Sequence, residues 1–243
     1  MPYICKMIKN IRPLGQKAYG SIPHLPYSRL GTRDHHITEG QALIATKQTR
    51  DKNDLIIVQE KLDGSNCSVA KVNGQILALG RSGYLAETSP HEQHQLFAKW
   101  VQINEERFIK LLNENERVSG EWLAQAHGTI YKLHHEPFVV FDLITINERT
   151  TYHNFLLRVL PLGFVVPNLV HIGQPLSIEK ALQKVELSGH GAIDEVEGVI
   201  YRVERNGKVD FLTKFVRQSK VDGKYLPENN NGQTIWNWNA MSV

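Results

Sequence analysis

Two Asn-Gly pairs, Asn73-Gly74 and Asn206-Gly207, each stand between short β-prone runs, and they constrain the fold of this 243-residue chain more than any other feature. Such a pair supplies two residues that tolerate positive φ, which a two-residue hairpin turn needs if its twist is to match the flanking strands. The alternating run Cys67–Val72 is therefore expected to turn back into Ile76–Leu79. The second pair, within Arg202–Lys208, leads into a strand at Val209–Val216. Other strands are expected at Leu55–Val58, Arg117–Ala124, Phe138–Ile146 and Val196–Val203, with a short one near Ala42–Ala45. Leu96, Phe97, Trp100, Val101, Phe108, Leu111 and Leu112 recur at helical spacing and predict one helix over Ser89–Asn113, with Ser89 as N-cap and Pro90 at the first helical position. A second helix is expected at Ile178–Leu187. Strands and helices do not alternate regularly, so the expected class is α+β, mostly antiparallel sheets with flanking helices, rather than a doubly wound α/β fold.

Composition narrows the function classes. No apolar run approaches the ~20 residues of a membrane span; Phe138–Ile144 is interrupted by Asp142. Residues 1–10 carry Lys6 and Lys9 and lack the continuous apolar stretch of a secretory signal. Cys5 and Cys67 make neither a disulfide framework nor a clustered zinc site. A cytoplasmic location is expected. The formal charge of +3 permits a nucleic-acid partner without demanding one. Residues 1–33 read as an arm packed on the domain, and their basic and aromatic members, including Arg12, Lys17, Tyr19, Arg29 and Arg33, offer a polyanion surface as the other reading. Residues 34–226 form the main domain, and 227–243 a tail whose Trp236 and Trp238 are expected to dock it. His35, His36, His91 and His94 lack a third ligand and read as surface histidines.

Four segments carry chemistry: Glu60-Lys61-Leu62-Asp63-Gly64, Gly120-Glu121-Trp122-Leu123, Glu197-Gly198-Val199-Ile200 and Leu212-Thr213-Lys214-Phe215. Singly, each is common: a lysine before a turn glycine, or a glutamate at a strand start. In this order, across about 150 residues, they resemble the motifs of the covalent nucleotidyltransferase superfamily of DNA ligases, RNA ligases and mRNA capping enzymes. The continuation Gly64-Ser65-Asn66, with Arg81-Ser82-Gly83, Phe141-Asp142 and Glu197-Gly198-Val199-Ile200-Tyr201, resembles the RNA ligase 2 family, the phage-type ligases that seal nicks in duplex RNA.

The resemblance implies an ATP-dependent RNA ligase that parks AMP on Lys61, transfers it to a 5′-phosphate and joins that end to a 3′-hydroxyl. It implies catalytic roles for Lys61, Glu197 and Lys214. It implies nucleotide contacts from Glu60, Lys61, Asn66, Arg81, Glu121, Phe141, Glu197 and Lys214, with Phe141 against the base and Glu121 at the ribose. ATP and Mg2+ or Mn2+ are the expected cofactors, with Glu197 the candidate metal contact, and RNA with broken or nicked ends the expected partner, DNA-containing duplex being a further one. A lysine with the reference pKa of ~10.4 is protonated at neutral pH and no nucleophile; Lys61 is expected to titrate lower, with Lys214 and Arg81 as cationic neighbours. Asp142 is expected to orient a basic group. The family's second basic position after Lys214 is missing or taken by Arg217, and neither an OB-type nor a helical C-terminal domain is expected in the remaining residues. The alternatives are a minimal ATP-dependent DNA ligase and a non-catalytic nucleotide- or RNA-binding module of the same fold; a capping guanylyltransferase fits less well.

Overall fold

Both Asn-Gly pairs turn as their composition requires: φ is 51° and 76° at Asn73 and Gly74, and 50° and 73° at Asn206 and Gly207. Around them a computed structural model describes residues 11–238. Residues 1–10 of the arm, with Cys5, Lys6 and Lys9, and residues 239–243 of the tail lie outside the described residues. The chain divides into two compact units. The first comprises Met1–Gly20, Ser65–Trp122 and Phe138–Val165; the second comprises Ser21–Gly64, Leu123–Pro137 and Val166–Val243. The arm read at 1–33 is thus shared, its described residues 11–20 belonging to the first unit and 21–33 to the second.

The first unit holds strands β2 (Ser65–Val72), β3 (Gln75–Gly80), β4 (Glu116–Trp122), β5 (Phe138–Thr145) and β6 (Glu148–Arg149), in the antiparallel order β3-β2-β4-β5-β6. Its helices are α2 (Glu92–Ile103), α3 (Glu105–Leu111) and α4 (Tyr152–Val159). The helix expected over Ser89–Asn113 is two. It breaks at Asn104, which leaves the helical region (φ −100°, ψ 15°) and whose side-chain amide shares the Trp100 carbonyl with its own N–H, at 2.9 and 3.1 Å. The helix also starts later than expected, at Glu92 with His91 as N-cap; Ser89 Oγ instead accepts from the His91 N–H and contacts His94 Nδ1 at 2.8 Å. His94 is therefore no free surface histidine, since its Nε2 also meets Ser65 Oγ at 2.7 Å. The apolar stripe does what its period implied. Phe97 packs against Trp122 and Phe138 at ring separations of 5.2 and 5.0 Å, and Phe108 against Phe164 at 5.2 Å.

The second unit holds β1 (Asp54–Lys61), β7 (Leu169–Gly173), β8 (Gly198–Arg205) and β9 (Lys208–Val216), in the antiparallel order β7-β1-β8-β9, with helices α1 (Glu39–Thr46) and α5 (Ile178–Lys184). Ala42–Ala45 is not a strand but the centre of α1. Thr38 caps that helix by accepting from the Gln41 N–H, and Ala42 and Ala45, three apart, bury one face. Ile56, Val58, Val199, Tyr201 and Val203 form the core with Leu25, Leu176, Ala181 and Phe215. The tail docks here: Asn237 Nδ2 donates to the Leu123 carbonyl, its Oδ1 accepts from the Tyr131 N–H, and Trp236 bridges to Gln125. Cys67 is a buried free thiol. Among the described residues no helix is long and apolar enough to cross a membrane.

Candidate active site

Lys61 ends β1 and pairs in register with Gly198, the first residue of β8. That register brings Glu197 to the lysine: Nζ donates to Glu197 Oε2 at 2.6 Å and approaches the Leu62 carbonyl at 3.3 Å. Gly198 lets the start of β8 run close to β9, because a Cβ there would lie 1.9 Å from the Phe215 carbonyl oxygen. Burial pushes the Glu197 carboxyl up, against the opposing pull of the Lys61 ammonium. Glu197 thus faces the lysine ammonium, one of the two places, with a metal, that the resemblance implied for it.

Lys214 sits in β9, opposite Ile200 of β8. Its Nζ lies 3.7 Å from Asp34, and Asp34 is also 3.0 Å from His24 Nε2, a contact not aligned for a hydrogen bond. Burial and the positive charge of Lys214 hold His24 down to about 4, Lys61 adding to the effect, so this imidazole is neutral at physiological pH. Asp34, against the pull of its own burial, stays below the usual carboxylate range because it accepts the Gly31 N–H and faces Lys214. Lys61, Glu197, Lys214, Asp34 and His24 thus share one charged neighbourhood of the second unit.

The loop after Lys61 is held by a residue that sequence reasoning missed. Lys220, 8% exposed, donates to Asp63 Oδ2 and Thr129 Oγ1, both at 2.5 Å. Asp63 Oδ2 also accepts the Gly128 N–H at 2.8 Å, and the Asp63 N–H donates to Tyr131 Oη. A Cβ at Gly128 would meet the Val221 carbonyl at 2.5 Å and Asp63 Oδ2 at 2.9 Å, so the clamp admits no larger residue. Arg217 adjoins the same neighbourhood: its N–H donates to the Glu197 carbonyl at 3.0 Å, while Nε donates to the Val196 carbonyl and Nη1 pairs with Glu195. The signal for Lys220 was no more than a lysine six positions after Lys214.

Glu60 lies on the opposite side of β1 from Lys61. Successive strand residues face opposite ways, and Glu60 follows Ile56 and Val58 toward the core while Lys61 points the other way. The Glu60 carboxylate is 2% exposed; it accepts from Ser188 Oγ at 2.5 Å and from the Gly189 N–H at 2.8 Å, while burial raises its pKa. These bonds tie the end of β1 to the 188–189 loop. The same loop carries His190, whose Nε2 accepts the Asn168 N–H. Nδ1 of His190 must then donate to His135 Nε2, 2.9 Å away, because His135 Nδ1 donates to the Glu136 carbonyl. Both rings are neutral in this arrangement, and burial together with His135 takes His190 down to about 4.

The remaining expected residues belong to the first unit. Asn66 of β2 lies in register with Glu121 of β4, and its Oδ1 is buried without a hydrogen-bond partner. Phe141 of β5 falls at a β-bulge: Ser119 pairs with Asp142 and Gly120 with Val140, leaving Phe141 the extra residue, half-buried and re-aimed. Tyr19 packs edge-on to it at 5.2 Å. Asp142 is fully buried; it accepts from Tyr19 Oη at 2.6 Å and pairs with Arg149 at 2.9 Å, so the basic group it orients is Arg149. Arg81 is exposed, its guanidinium near the Gly20 carbonyl. Among the described residues no group of three or more His, Cys, Asp or Glu side chains forms a resident metal site.

Comparison with known proteins agrees with this frame. The RNA ligase family model matches residues 54–216. No curated protein matches the chain. Among solved structures it is similar to a Naegleria gruberi RNA ligase mutant with ATP and Mn (18% identity, TM-score 0.53, covering 89% of this chain and 64% of that one). It is also similar to a second mutant of that ligase with AMP and Mn (16% identity, TM-score 0.54, covering 84% and 62%). These likenesses show the fold, and the chain spans less than two thirds of the length of either structure. The family match extends from the first residue of β1 to the last of β9, through Lys61, Glu121, Glu197 and Lys214, and the chain belongs to the RNA ligase family.

Proposed function

We propose that the chain is an ATP-dependent RNA ligase with Lys61 as its nucleophile. The observation that carries this reading is the 2.6 Å contact of Lys61 Nζ with Glu197 in a member of this family. An ammonium cannot attack. Glu197, whose carboxyl burial has pushed up, is a better proton acceptor than an exposed glutamate. Lys61 first passes one proton to Glu197 and so gains a lone pair. Its nitrogen then bonds to the α-phosphorus of ATP as the bond to the β-phosphate breaks, and the departing pyrophosphate takes the second proton that the phosphoramidate nitrogen sheds. Lys214 supplies positive charge for the phosphates. Asp63, clamped by Lys220, fixes the loop that carries the nucleophile.

The first unit's residues suit a nucleotide. Asn66 Oδ1 is an acceptor without a donor, Phe141 offers a ring face, and Glu121 offers a carboxylate for a ribose hydroxyl. Arg81 is assigned to phosphate. Glu197 is the protein carboxylate assigned to a Mg2+ or Mn2+ ion, which would arrive with the nucleotide. The metal would neutralise phosphate charge. The second and third steps, transfer of AMP to a 5′-phosphate and joining to a 3′-hydroxyl, follow from the same reading, with RNA as substrate in the cytoplasm.

Incubation with α-32P-ATP and Mg2+ or Mn2+, followed by denaturing electrophoresis, tests the first step. Label is expected on wild type, absent from Lys61→Ala and reduced about 10²-fold in rate in Glu197→Gln, the lower range for losing a general base. Folded wild type that takes no label with either metal refutes the reading. Side-by-side joining of RNA and all-DNA nicks then separates RNA ligase from DNA ligase.

A further inference from the structure

The Leu25–Ser28 turn carries a residue that its backbone does not favour. The Ser28 N–H donates to the Leu25 carbonyl at 3.2 Å, closing a four-residue turn with Pro26 at its second position and Tyr27 at its third. Proline fixes a negative φ, and Tyr27 has φ 62°, so the turn is type II, whose third position is ordinarily glycine or asparagine. A tyrosine there is strained, and strain of this kind persists where the surroundings impose it and function uses it. No packing repays it: the residue is 86% exposed, and among the described residues the ring has no aromatic, cationic or hydrogen-bonding partner.

The turn itself is tied to β9 at Lys214 and Val216. The Leu25 N–H donates to the Lys214 carbonyl at 2.8 Å, Ser28 Oγ accepts the Val216 N–H at 2.9 Å, and the Arg29 N–H donates to the Val216 carbonyl at 3.0 Å. Ser28 Oγ also meets His24 Nδ1 at 2.6 Å, and Gln218 donates to the Tyr27 carbonyl at 2.8 Å. A flat ring is thus held in solvent on a fixed base, next to a lysine assigned to phosphate. Arg29, whose partner Asp222 is mostly exposed, and the exposed Arg33 lie on the same segment.

We propose that Tyr27 is a stacking platform for an unpaired base of the RNA strand, with Arg29 and Arg33 contacting its phosphates. The proposal rests on the RNA ligase reading and adds to it the residue that grips the strand beside the reacting end. A ring face accepts any base, so the contact favours unpaired RNA without reading its sequence. A protein ligand is the competing occupant, and it would not respond to RNA.

The test uses the full chain and Tyr27→Gly, Tyr27→Ala and Tyr27→Phe. Each is measured for thermal midpoint and, by fluorescence anisotropy, for affinity toward a 5′-phosphorylated single-stranded RNA. Glycine relieves the backbone and should raise the midpoint while binding RNA about 10–100-fold more weakly, the loss expected for one stacked base. Alanine should bind as weakly as glycine, and phenylalanine within about twofold of wild type, since it keeps the ring. A glycine variant that is more stable and binds RNA as wild type does overturns the proposal and leaves the ring to a protein contact. Wild type that fails to bind the RNA also overturns it. AMP labelling of wild type, read separately, decides the ligase reading on which it rests: with label and no effect of Tyr27, this proposal alone fails; without label, both do.

Discussion

Replacing Lys220 with methionine keeps most of the side-chain length and removes one buried charge. The ammonium is bonded to Asp63 and Thr129, and the two charged side chains are 5% and 15% exposed. Breaking one half of a buried pair costs ~3–5 kcal/mol, most of it the penalty of leaving the partner charged and unpaired. Asp63 keeps the Gly128 N–H and some solvent, which places the expected cost at the lower end, about 3 kcal/mol. That is roughly a 10²-fold change in the folding equilibrium, and a fall in Tm of roughly 6–12 °C for a chain of this size. Denaturation of wild type, Lys220→Met, Asp63→Asn and the double variant gives the coupling directly. The double variant should recover at least about 2 kcal/mol relative to the sum of the singles, because neither charge is then stranded. A Lys220→Met variant within about 0.5 kcal/mol of wild type, with no coupling to Asp63, would show that the clamp is not what holds this loop.

Two further outcomes follow from other contacts. His190 is neutral in the fold at about 4 against an ordinary 6.5, so between those values the unfolded chain binds the extra proton and stability falls as pH falls, by about 3 kcal/mol in all. His24 acts in the same direction, while Glu60 and Glu197, whose carboxyls burial has raised, act in the opposite one, so His190→Gln should flatten the acid limb of a pH–stability curve without abolishing it. An unchanged limb refutes the neutral His190–His135 arrangement. Gly198→Ala drives a methyl group into the Phe215 carbonyl, and β8 and β9 must part beside Glu197. The variant should lose both AMP labelling and about 3 kcal/mol, the upper end for overpacking, and a thermal midpoint equal to that of wild type would refute the close approach.

What the sequence made legible was local. Each Asn-Gly turn and its two strands needed only a dozen neighbouring residues, and both hairpins form where expected. The errors came where a local preference met a tertiary demand. Ala42 and Ala45 suit a strand or a helix alike, and the Thr38 cap with burial against the second unit's core decides for helix. Asn104 turned one amphipathic stripe into two helices, because its backbone leaves the helical region there and its side chain caps the end by bonding the Trp100 carbonyl. β7 is five residues long and mostly half-exposed, and it exists because it covers the edge of β1. At the site, motif order placed Lys61 with Glu197, but it could not separate Glu60 from Lys61, two adjacent residues on opposite faces of one strand. Lys220 was invisible because its partner is 157 positions away.

The same distances bear on how the molecule comes into being. β1 finds its central neighbour, β8, only after about 140 further residues have been made, and Lys61 waits for a carboxylate 136 positions on. Closing loops of that length before any contact rewards them is slow, and it leaves a β-rich edge open in the meantime. The first unit's hairpin, by contrast, pairs residues that leave the ribosome within moments of one another. A nascent chain therefore has both strands of its first hairpin well before it has Glu197 to set beside Lys61, and that pair forms only when β8 has been synthesised and β1 has been captured between its partners.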